Sequence, residues 1–267
     1  MGRITAVANQ KGGVGKTTTA INLAASLALG ERSVLVVDID PQANLTSGVG
    51  MRDQVPEGRS IYSALTSIDV DGDLSPYVLH TSVRGLDIVP ADRHLTGAEI
   101  EMVGLLAREQ RLRRLLRPLA ERYNHVFIDC PPSLGLLTLN ALVAADSVLI
   151  PLHCEYFALE GLAELISTMR RVRAALNPSL DIEGVLLTMY DERTNLGQQV
   201  GRDVRAFFKE KTYSTVIPRN VRLGEAPSHG MPVALYDPKS KGAESYLALA
   251  REFLERHAPA AAAASHS

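Results

Sequence analysis

A short glycine-rich segment, KGGVGKTT, combines residue types that bind phosphate. Gly12, Gly13 and Gly15 allow tight turns that point backbone N–H groups at phosphate oxygens, where side chains would otherwise intrude. Lys16 is placed to reach the β- and γ-phosphates of a nucleotide, and the Thr17 hydroxyl is placed to bind Mg²⁺. We therefore predict that the whole segment binds ATP: Lys11, Gly12, Gly13, Val14, Gly15, Lys16, Thr17 and Thr18.

This phosphate loop departs from the standard pattern at its first position. Gln10 stands where the pattern has a glycine, and an extra lysine, Lys11, follows it. A strand-like run precedes the loop and a helix-like run follows it, so the positive end of the helix dipole adds to the predicted phosphate site. The sequence has no Asn-Lys-x-Asp motif of the kind that binds guanine, which favours ATP.

Three aspartates follow continuous apolar runs. Asp38 and Asp40 come after the run at 34–37, and Asp129 comes after the run at 126–128. Such runs are typical of strands buried on both faces, and open α/β sheets bind ligands at the carboxyl ends of their strands. We expect Asp129 to hold Mg²⁺, as a Walker B aspartate does. For Asp38 and Asp40 the alternative is a plain turn, since aspartate before proline is common in turns.

Apolar runs alternate with helix-like stretches along the chain, and this alternation predicts the fold class. Helical spacing is clearest at 18–29, 156–177 and 241–257. The pattern implies right-handed crossovers and an α/β fold with a doubly wound, mainly parallel sheet and helices on both faces, the P-loop NTPase fold. We expect one domain at 1–257 and a disordered, alanine-rich tail at 258–267. The predicted strands lie at 4–8, 34–37, 86–90, 126–128, 147–151 and 183–188.

The composition fits a cytoplasmic protein with a full hydrophobic core. Of the 267 residues, 46% are hydrophobic and 22% are charged. No apolar run approaches the roughly 18–20 residues that a membrane span needs, and the first residues lack the features of a signal peptide. The net charge of −2 leaves room for a local basic patch. Cys130 and Cys154 are too few for a zinc framework, and we expect both to be buried, reduced thiols.

The second lysine in KGGVGKTT resembles the deviant Walker A motif of the ParA/MinD family of ATPases. DIDPQ resembles the switch I segment of that family, and VFIDCPPSLG resembles its Walker B motif and switch II. Further stretches resemble partitioning ATPases of the ParA/Soj kind, in order along nearly the whole chain. These stretches are LTGAEIE, IDCPPSLGLLTLNAL, CEYFALEGL, EGVLLTMYDERTNLG, IPRNVRLGEAPSHG and YDPKSKGAESYLALA.

The resemblance implies roles for individual residues. Lys11 would reach across a dimer to the phosphates bound by the other subunit, in the manner of an arginine finger. Asp40 would orient the attacking water, and Asp38 would contact the metal indirectly or support the phosphate loop. Pro218 and Asn220 lie in VIPRNVRLGEAPSHG, the stretch that would hold adenine. The implied catalytic residues are Lys11, Lys16 and Asp40, and the implied metal residues are Thr17, Asp38 and Asp129.

The same resemblance implies a slow, Mg²⁺-dependent ATPase for segregation of chromosomes or plasmids. Its ATP-bound homodimer would bind double-stranded DNA without sequence preference on the nucleoid, and a ParB-type partner would stimulate hydrolysis. Basic residues in the last third of the chain could form a positive surface in such a dimer. These DNA-binding candidates are Arg193, Arg219, Arg222, Lys239 and Lys241. We interpret a second basic run, Arg108, Arg111, Arg113, Arg114 and Arg117, as a solvated helix face.

Three other functions fit a phosphate loop of this type. A MinD-like cell-division ATPase would need a C-terminal amphipathic helix for the membrane, whereas the tail here is APAAAAASHS. A dethiobiotin-synthetase-like ligase would need a substrate pocket, which the sequence does not mark. A reductase like the nitrogenase iron protein would need paired cluster cysteines, and Cys130 has no suitable second cysteine.

Overall fold

A parallel β-sheet forms the centre of the molecule. A computed structural model describes residues 2–67, 72–155 and 158–258. Within these ranges, seven strands form one sheet. The strands are β1 (Arg3–Val7), β2 (Val34–Asp38), β3 (Leu79–His80), β4 (Leu86–Val89), β5 (His125–Asp129), β6 (Ser147–His153) and β7 (Asp181–Thr188).

The strand order is β3-β4-β2-β5-β1-β6-β7, and every neighbouring pair is parallel except β3 with β4. The prediction of a mainly parallel, doubly wound sheet is confirmed, and all six predicted strands are present. The antiparallel edge strand β3 was missed because it has only two residues, one of them exposed. Since β1 lies in the interior of the sheet, the loop that follows β1 has a strand end on either side.

Helices connect the strands and cover both faces of the sheet. The helices predicted at 18–29 and 241–257 are present as Lys16–Leu29 and Lys241–Arg256. The predicted start of a third helix at Tyr156 lies outside the described residues, and this helix ends at Ala175, two residues before the predicted end. The helices are α1 (Lys16–Leu29), α2 (Asn44–Gly48), α3 (Ile61–Thr66), α4 (Leu95–Glu101), α5 (Arg111–Ala120), α6 (Leu136–Ala144), α7 (Ala158–Ala175), α8 (Asn195–Phe208), α9 (Val221–Glu225), α10 (Val233–Tyr236) and α11 (Lys241–Arg256).

Two hydrophobic layers enclose the sheet because alternate residues of each strand point to opposite faces. Val34 and Val36 of β2 pack in one layer with α1 and α11. Leu35 and Val37 pack in the other layer with α3 to α8. Every residue of β2 and β5 is buried, which explains why both strands read as unbroken apolar runs.

The interpretation of the basic run as a solvated face is wrong for Arg111. This residue is only 2% exposed, and its guanidinium group donates hydrogen bonds to the backbone oxygens of Leu65 and Ser67. These oxygens lie at the C-terminal end of α3, where unpaired carbonyl groups and the helix dipole favour a cation. Arg117 is also occupied, since its guanidinium lies 2.5 Å from the Asp146 carboxylate.

Both cysteines are free and buried in the described part of the chain, as predicted. Burial raises the pKa of the Cys154 thiol to about 11 and that of Cys130 further, so both stay protonated near neutral pH. None of the described helices combines the length and the apolarity that crossing a bilayer requires. The predicted tail at 258–267 lies outside the described residues except for Ala258, and the division into one domain and a tail stays a prediction.

Candidate nucleotide-binding site

The sheet brings the phosphate loop and the aspartates to one edge. In the register of the parallel strands, Asp129 lies opposite Val7 on one side and Asp38 on the other. The loop that begins after Val7 is therefore next to both carboxylates. We call this edge, formed by the C-terminal ends of the parallel strands, the carboxyl edge.

The glycines of the phosphate loop adopt backbone conformations that other residues rarely adopt. Gly13 and Gly15 have φ angles of 70° and 86°, in the left-handed region. Gly15 immediately precedes α1, so the free N–H groups of a 14-residue helix face the loop. The Thr188 hydroxyl donates a 2.8 Å hydrogen bond to the Val14 oxygen and thereby ties the loop to the end of β7.

A cavity of about 490 Å³ opens over this loop. It brings together residues of the phosphate loop, Asp40 and the predicted adenine segment, although these lie far apart in sequence. Of the predicted ATP-binding residues, Lys11 and Val14 do not line it. Those that do are Gly12, Gly13, Gly15, Lys16, Thr17, Thr18, Pro218 and Asn220.

Lys16 is the buried cation of the site. Its side-chain nitrogen donates a 3.0 Å hydrogen bond to the Lys11 oxygen, across the loop. Burial lowers the pKa of Lys16, while the neighbouring Asp129, Cys130 and Asp40 oppose that shift. A buried ammonium at the N-terminus of a helix suits an anionic ligand such as a polyphosphate.

Both carboxylate oxygens of Asp38 accept hydrogen bonds within the protein. One carboxylate oxygen accepts hydrogen bonds from the Thr46 N–H at 2.9 Å and the Thr46 hydroxyl at 2.7 Å. The other accepts from the Asp40 N–H at 3.1 Å. Burial raises the pKa of Asp38 to about 6 despite these bonds. Asp38 therefore fixes the segment from Asp40 to Thr46, and sequence reasoning did not find Thr46 as its partner.

Asp129 has the opposite character. Both of its carboxylate oxygens are buried, and neither has a hydrogen-bond partner among the described residues. Burial, with a further contribution from Asp38, raises the pKa of Asp129 well above its ordinary value. A buried carboxylate without partners calls for a cation, and oxygen ligands are those that Mg²⁺ prefers. Asp129 and the neighbouring Thr17 hydroxyl therefore fit a Mg²⁺ ion.

Such an ion would take few ligands from the protein. No group of three or more histidine, cysteine, aspartate or glutamate side chains in the described ranges is arranged to hold a metal. Mg²⁺ in nucleotide sites commonly uses one or two protein oxygens and completes its coordination with water and substrate phosphates. The donor set here matches that mode of binding.

Asp40 is the first residue of the segment that Asp38 fixes by hydrogen bonds. It is 6% exposed and lines the cavity, and one of its carboxylate oxygens accepts a 3.0 Å hydrogen bond from the Gln42 N–H. Ala43 has a φ angle of 51°, an uncommon value for a residue with a side chain. The carboxylate thus has a free oxygen beside the cavity on a tightly turned loop.

The end of the predicted adenine segment touches the chain just after α2, at two glycines. Gly50 and Gly230 both have positive φ angles, 78° and 64°. A Cβ atom on Gly230 would lie 2.6 Å from the Gly50 Cα, so the two backbones touch.

In the adenine segment itself, the Asn220 side-chain oxygen accepts a hydrogen bond from the Arg222 N–H and caps α9, which leaves the amide nitrogen for a ligand.

Comparisons with known proteins identify the family. A family profile described as an AAA domain matches residues 2–182. The chain is 57% identical to the chromosome partitioning protein ParA of Myxococcus xanthus over 97% of this chain and 90% of that protein. It is 56% identical to the sporulation initiation inhibitor protein Soj of Bacillus subtilis over 94% of this chain and 98% of that protein.

This chain belongs to the ParA/Soj family of chromosome-partitioning ATPases.

Solved structures share the fold. One of them is named cobyrinic acid a,c-diamide synthase of Mycobacterium smegmatis and contains bound ADP and magnesium. It matches this chain with a TM-score of 0.81 and 38% sequence identity. The match covers 96% of each chain. The ParA and Soj relatives confirm the family that KGGVGKTT, DIDPQ and VFIDCPPSLG indicated.

In this ParA/Soj-family chain, Lys11 contacts a partner that sequence reasoning missed. Its side-chain nitrogen forms an ion pair with one carboxylate oxygen of Glu155. The other oxygen of Glu155 lies 2.7 Å from Nδ1 of His153. Glu155 comes just after β6, the neighbour of β1, so the sheet order places it beside the phosphate loop. The motif CEYFALEGL marked this segment without indicating the contact.

The five DNA-binding candidates of the ParA/Soj-family chain lie at the carboxyl edge, but they differ in their surroundings. Arg193 makes a bidentate contact with Asp191, and Arg222 lies 2.8 Å from Glu225. The other three have no ion pair within the described residues, and one of them also lines the cavity. These three are Arg219, Lys239 and Lys241, all of which are exposed.

Proposed function

We propose that this ParA/Soj-family chain is an ATP-driven, Mg²⁺-dependent partitioning ATPase of the cytoplasm. In the proposal, ATP assembles a homodimer that binds double-stranded DNA of the nucleoid without sequence preference, and a ParB-type partner stimulates slow hydrolysis. The observation that supports it most is the single cavity shared by Lys16, Thr17 and Asp40, beside the unpartnered carboxylate of Asp129. The high identity to ParA and Soj relatives supports the cellular role.

The phosphate loop and the adenine segment bind the nucleotide. Backbone N–H groups of the loop and the Lys16 ammonium hold the phosphates, while Pro218 and the free amide nitrogen of Asn220 contact the base. Thr17 and Asp129 hold Mg²⁺, which when bound neutralises charge on the phosphates. The structure of M. smegmatis with ADP and magnesium supports this choice of ligands.

Two further residues act on hydrolysis rather than on binding. The free carboxylate oxygen of Asp40 accepts a hydrogen bond from a water molecule and orients it toward the terminal phosphate. We assign Asp38 an indirect role at the metal, because its carboxylate oxygens accept hydrogen bonds from Thr46 and from the Asp40 N–H. Through the bond from the Asp40 N–H it positions Asp40. Lys11 acts in the dimer by reaching the phosphates bound to the other subunit.

DNA binding uses the basic residues that no acidic side chain in the described ranges neutralises. Lys239 and Lys241 are exposed at the start of α11, where two subunits together could present four ammonium groups to the phosphate backbone. Arg219 also lines the nucleotide cavity, and Arg193 and Arg222 each lie beside a carboxylate. We therefore assign the larger contribution to the two lysines.

Replacing Lys239 and Lys241 by glutamine should weaken DNA binding equally for unrelated sequences and reduce its salt dependence. The slope of log K against log salt should fall by about 0.9 for each phosphate that the variant no longer neutralises. Lys211→Gln is the matched control, because Lys211 pairs with Asp181 at the start of β7, the opposite edge of the sheet. Equal slopes for the double variant and the wild type would rule out the two lysines as phosphate contacts.

The function itself is tested by measuring ATP hydrolysis with and without double-stranded DNA and a ParB-type protein, at fixed salt. We expect little turnover with either addition alone and clear stimulation with both. Failure of that combination to stimulate would contradict the proposal. Adding anionic vesicles to the same assay tests the MinD-like alternative, which predicts that the membrane stimulates ATP hydrolysis.

A metabolic ligase is the second candidate, favoured by one observation. The structure with 38% identity and nearly complete coverage is named a cobyrinic acid a,c-diamide synthase. The ParA and Soj relatives match at 57% and 56% identity, and we therefore place the partitioning role first. ATP turnover that needs only cobyrinic acid and an amide donor would reverse this order.

A further inference from the structure

The ion pair between Lys11 and Glu155 places a functional cation in contact with its own subunit. The Lys11 side chain is 34% exposed and the Glu155 side chain is 46% exposed, so the pair lies at the surface of the carboxyl edge. The bond from Lys11 lowers the pKa of Glu155, so the carboxylate is ionised near neutral pH. The pair joins residues 144 positions apart and depends entirely on the sheet order.

Both partners of this pair are held in position from behind. The Lys11 N–H donates a 3.0 Å hydrogen bond to the Asn9 side-chain oxygen, and the Lys11 oxygen accepts one from Lys16. Asn9 is in turn anchored by donating a 2.8 Å bond to the Pro151 oxygen of β6. Glu155 is oriented by His153, whose side chain is only 14% exposed. The backbone of Lys11 is thus fixed, while its flexible side chain selects a partner.

We propose that Glu155 is a positioning residue that holds Lys11 within its own subunit and so opposes formation of the ATP-bound dimer. The proposal rests on the proposed function, in which Lys11 reaches phosphates across the dimer. The ammonium group of Lys11 cannot occupy both places, because the compact charge contacts either the Glu155 carboxylate or the partner's nucleotide. Each subunit must break this ion pair before its lysine crosses the interface.

The balance between the two positions depends on the charge of the nucleotide. A single exposed carboxylate attracts a lysine weakly, since such pairs contribute little in water. The terminal phosphate of ATP adds charge to the opposing site, and ADP lacks that phosphate, so ATP competes for Lys11 more strongly. Glu155 thereby opposes dimerisation more effectively when ADP is bound than when ATP is bound.

Glu155→Gln removes the charge and keeps the shape of the side chain. Because two such pairs break in each dimer, we expect the variant to dimerise about 2-fold to 30-fold more tightly with Mg²⁺ and a non-hydrolysable ATP analogue. Sedimentation velocity over a range of protein concentrations measures this constant. Glu160→Gln is the matched control, because Glu160 is an exposed carboxylate on the first turn of α7 with no contact to Lys11.

A second measurement follows Lys11 itself in the nucleotide-free chain. Reductive methylation, read by mass spectrometry at each lysine, should modify Lys11 faster in Glu155→Gln than in the wild type or in Glu160→Gln. An effect on the fold alone would change the other lysines as well. Unchanged methylation of Lys11 would overturn the contact in solution.

The outcomes separate this inference from the proposed function. If the wild type forms no dimer with the ATP analogue, the proposed dimer is wrong. If the wild type dimerises and Glu155→Gln dimerises equally or more weakly, the dimer stands and the restraint by Glu155 is wrong. Tighter dimerisation confined to Glu155→Gln supports the restraint.

Discussion

Acidification from pH 7 to pH 5 should reduce the contribution of one buried histidine to the stability of this protein. His125 is 9% exposed, its ring packs edge-on against Phe253 at 5.3 Å, and its Nδ1 atom has no hydrogen-bond partner among the described residues. Burial, with smaller contributions from His257, Arg32 and Arg3, lowers the pKa of His125 from 6.5 to about 4, although Glu183 opposes the shift. The folded state therefore keeps this imidazole neutral at pH values where the unfolded chain protonates it.

The sign and size of the effect follow from this difference in pKa. Below pH 6.5 the unfolded state binds a proton at His125 that the folded state excludes, so the contribution of His125 to the free energy of unfolding falls until the pH reaches about 4. At pH 5 this decrease amounts to about 2 kcal/mol relative to pH 7, as an order of magnitude. Asp38 and Asp129, whose pKa values burial raises, change the stability in the opposite direction, so the effect of His125 is measured as a difference between wild type and variant.

Urea denaturation at pH 7 and pH 5 measures the effect in the wild type and in His125→Leu. The absolute stability of the variant can change, but on going from pH 7 to pH 5 the wild type should lose about 2 kcal/mol relative to the variant, because leucine does not titrate. His80→Leu is the control, since His80 is exposed and pairs with Asp87 at the sheet edge. A variant at position 125 with the same pH dependence as the wild type would refute the assignment to His125.

Further predictions concern the nucleotide site. Lys16→Ala should abolish ATP binding, whereas Asp40→Ala should bind ATP and accumulate as a dimer that does not hydrolyse it. Calorimetric titration with ATP distinguishes them, and an equal decrease of affinity in both would contradict the division of roles. Gly12→Val should still bind ATP, because a Cβ atom there lies 3.8 Å from Pro132 and fits within the subunit. It should not dimerise, because the added bulk lies where the two subunits of the proposed dimer would meet. A dimer of this variant in sedimentation would refute the claim.

The placement of the phosphate loop and the aspartates followed from the sequence for a simple physical reason. Apolar runs at 34–37 and 126–128 predict buried parallel strands, and parallel strands align their C-terminal ends at one edge. Asp38 and Asp129 end those strands, and their alignment in the register confirms that they lie side by side.

The contacts that sequence reasoning missed depend on distant partners. Glu155 pairs with Lys11 only because β6 lies beside β1, which the order of strands along the chain does not reveal. Arg111 lies in a run of arginines with helical spacing, and its burial depends on the end of α3 packing against it. Thr46 gave no signal either, since its bonds to Asp38 require a tight turn between them.

The crossing of Gly50 and Gly230 links the timing of two events at the carboxyl edge. Because the two backbones touch, the end of the predicted adenine segment cannot move freely while the chain after α2 keeps its place. We expect the rate of ADP release to depend on the relaxation of that chain, which continues from the segment of Asp40, after hydrolysis. A single methyl group at either glycine would then act on nucleotide exchange without entering the cavity.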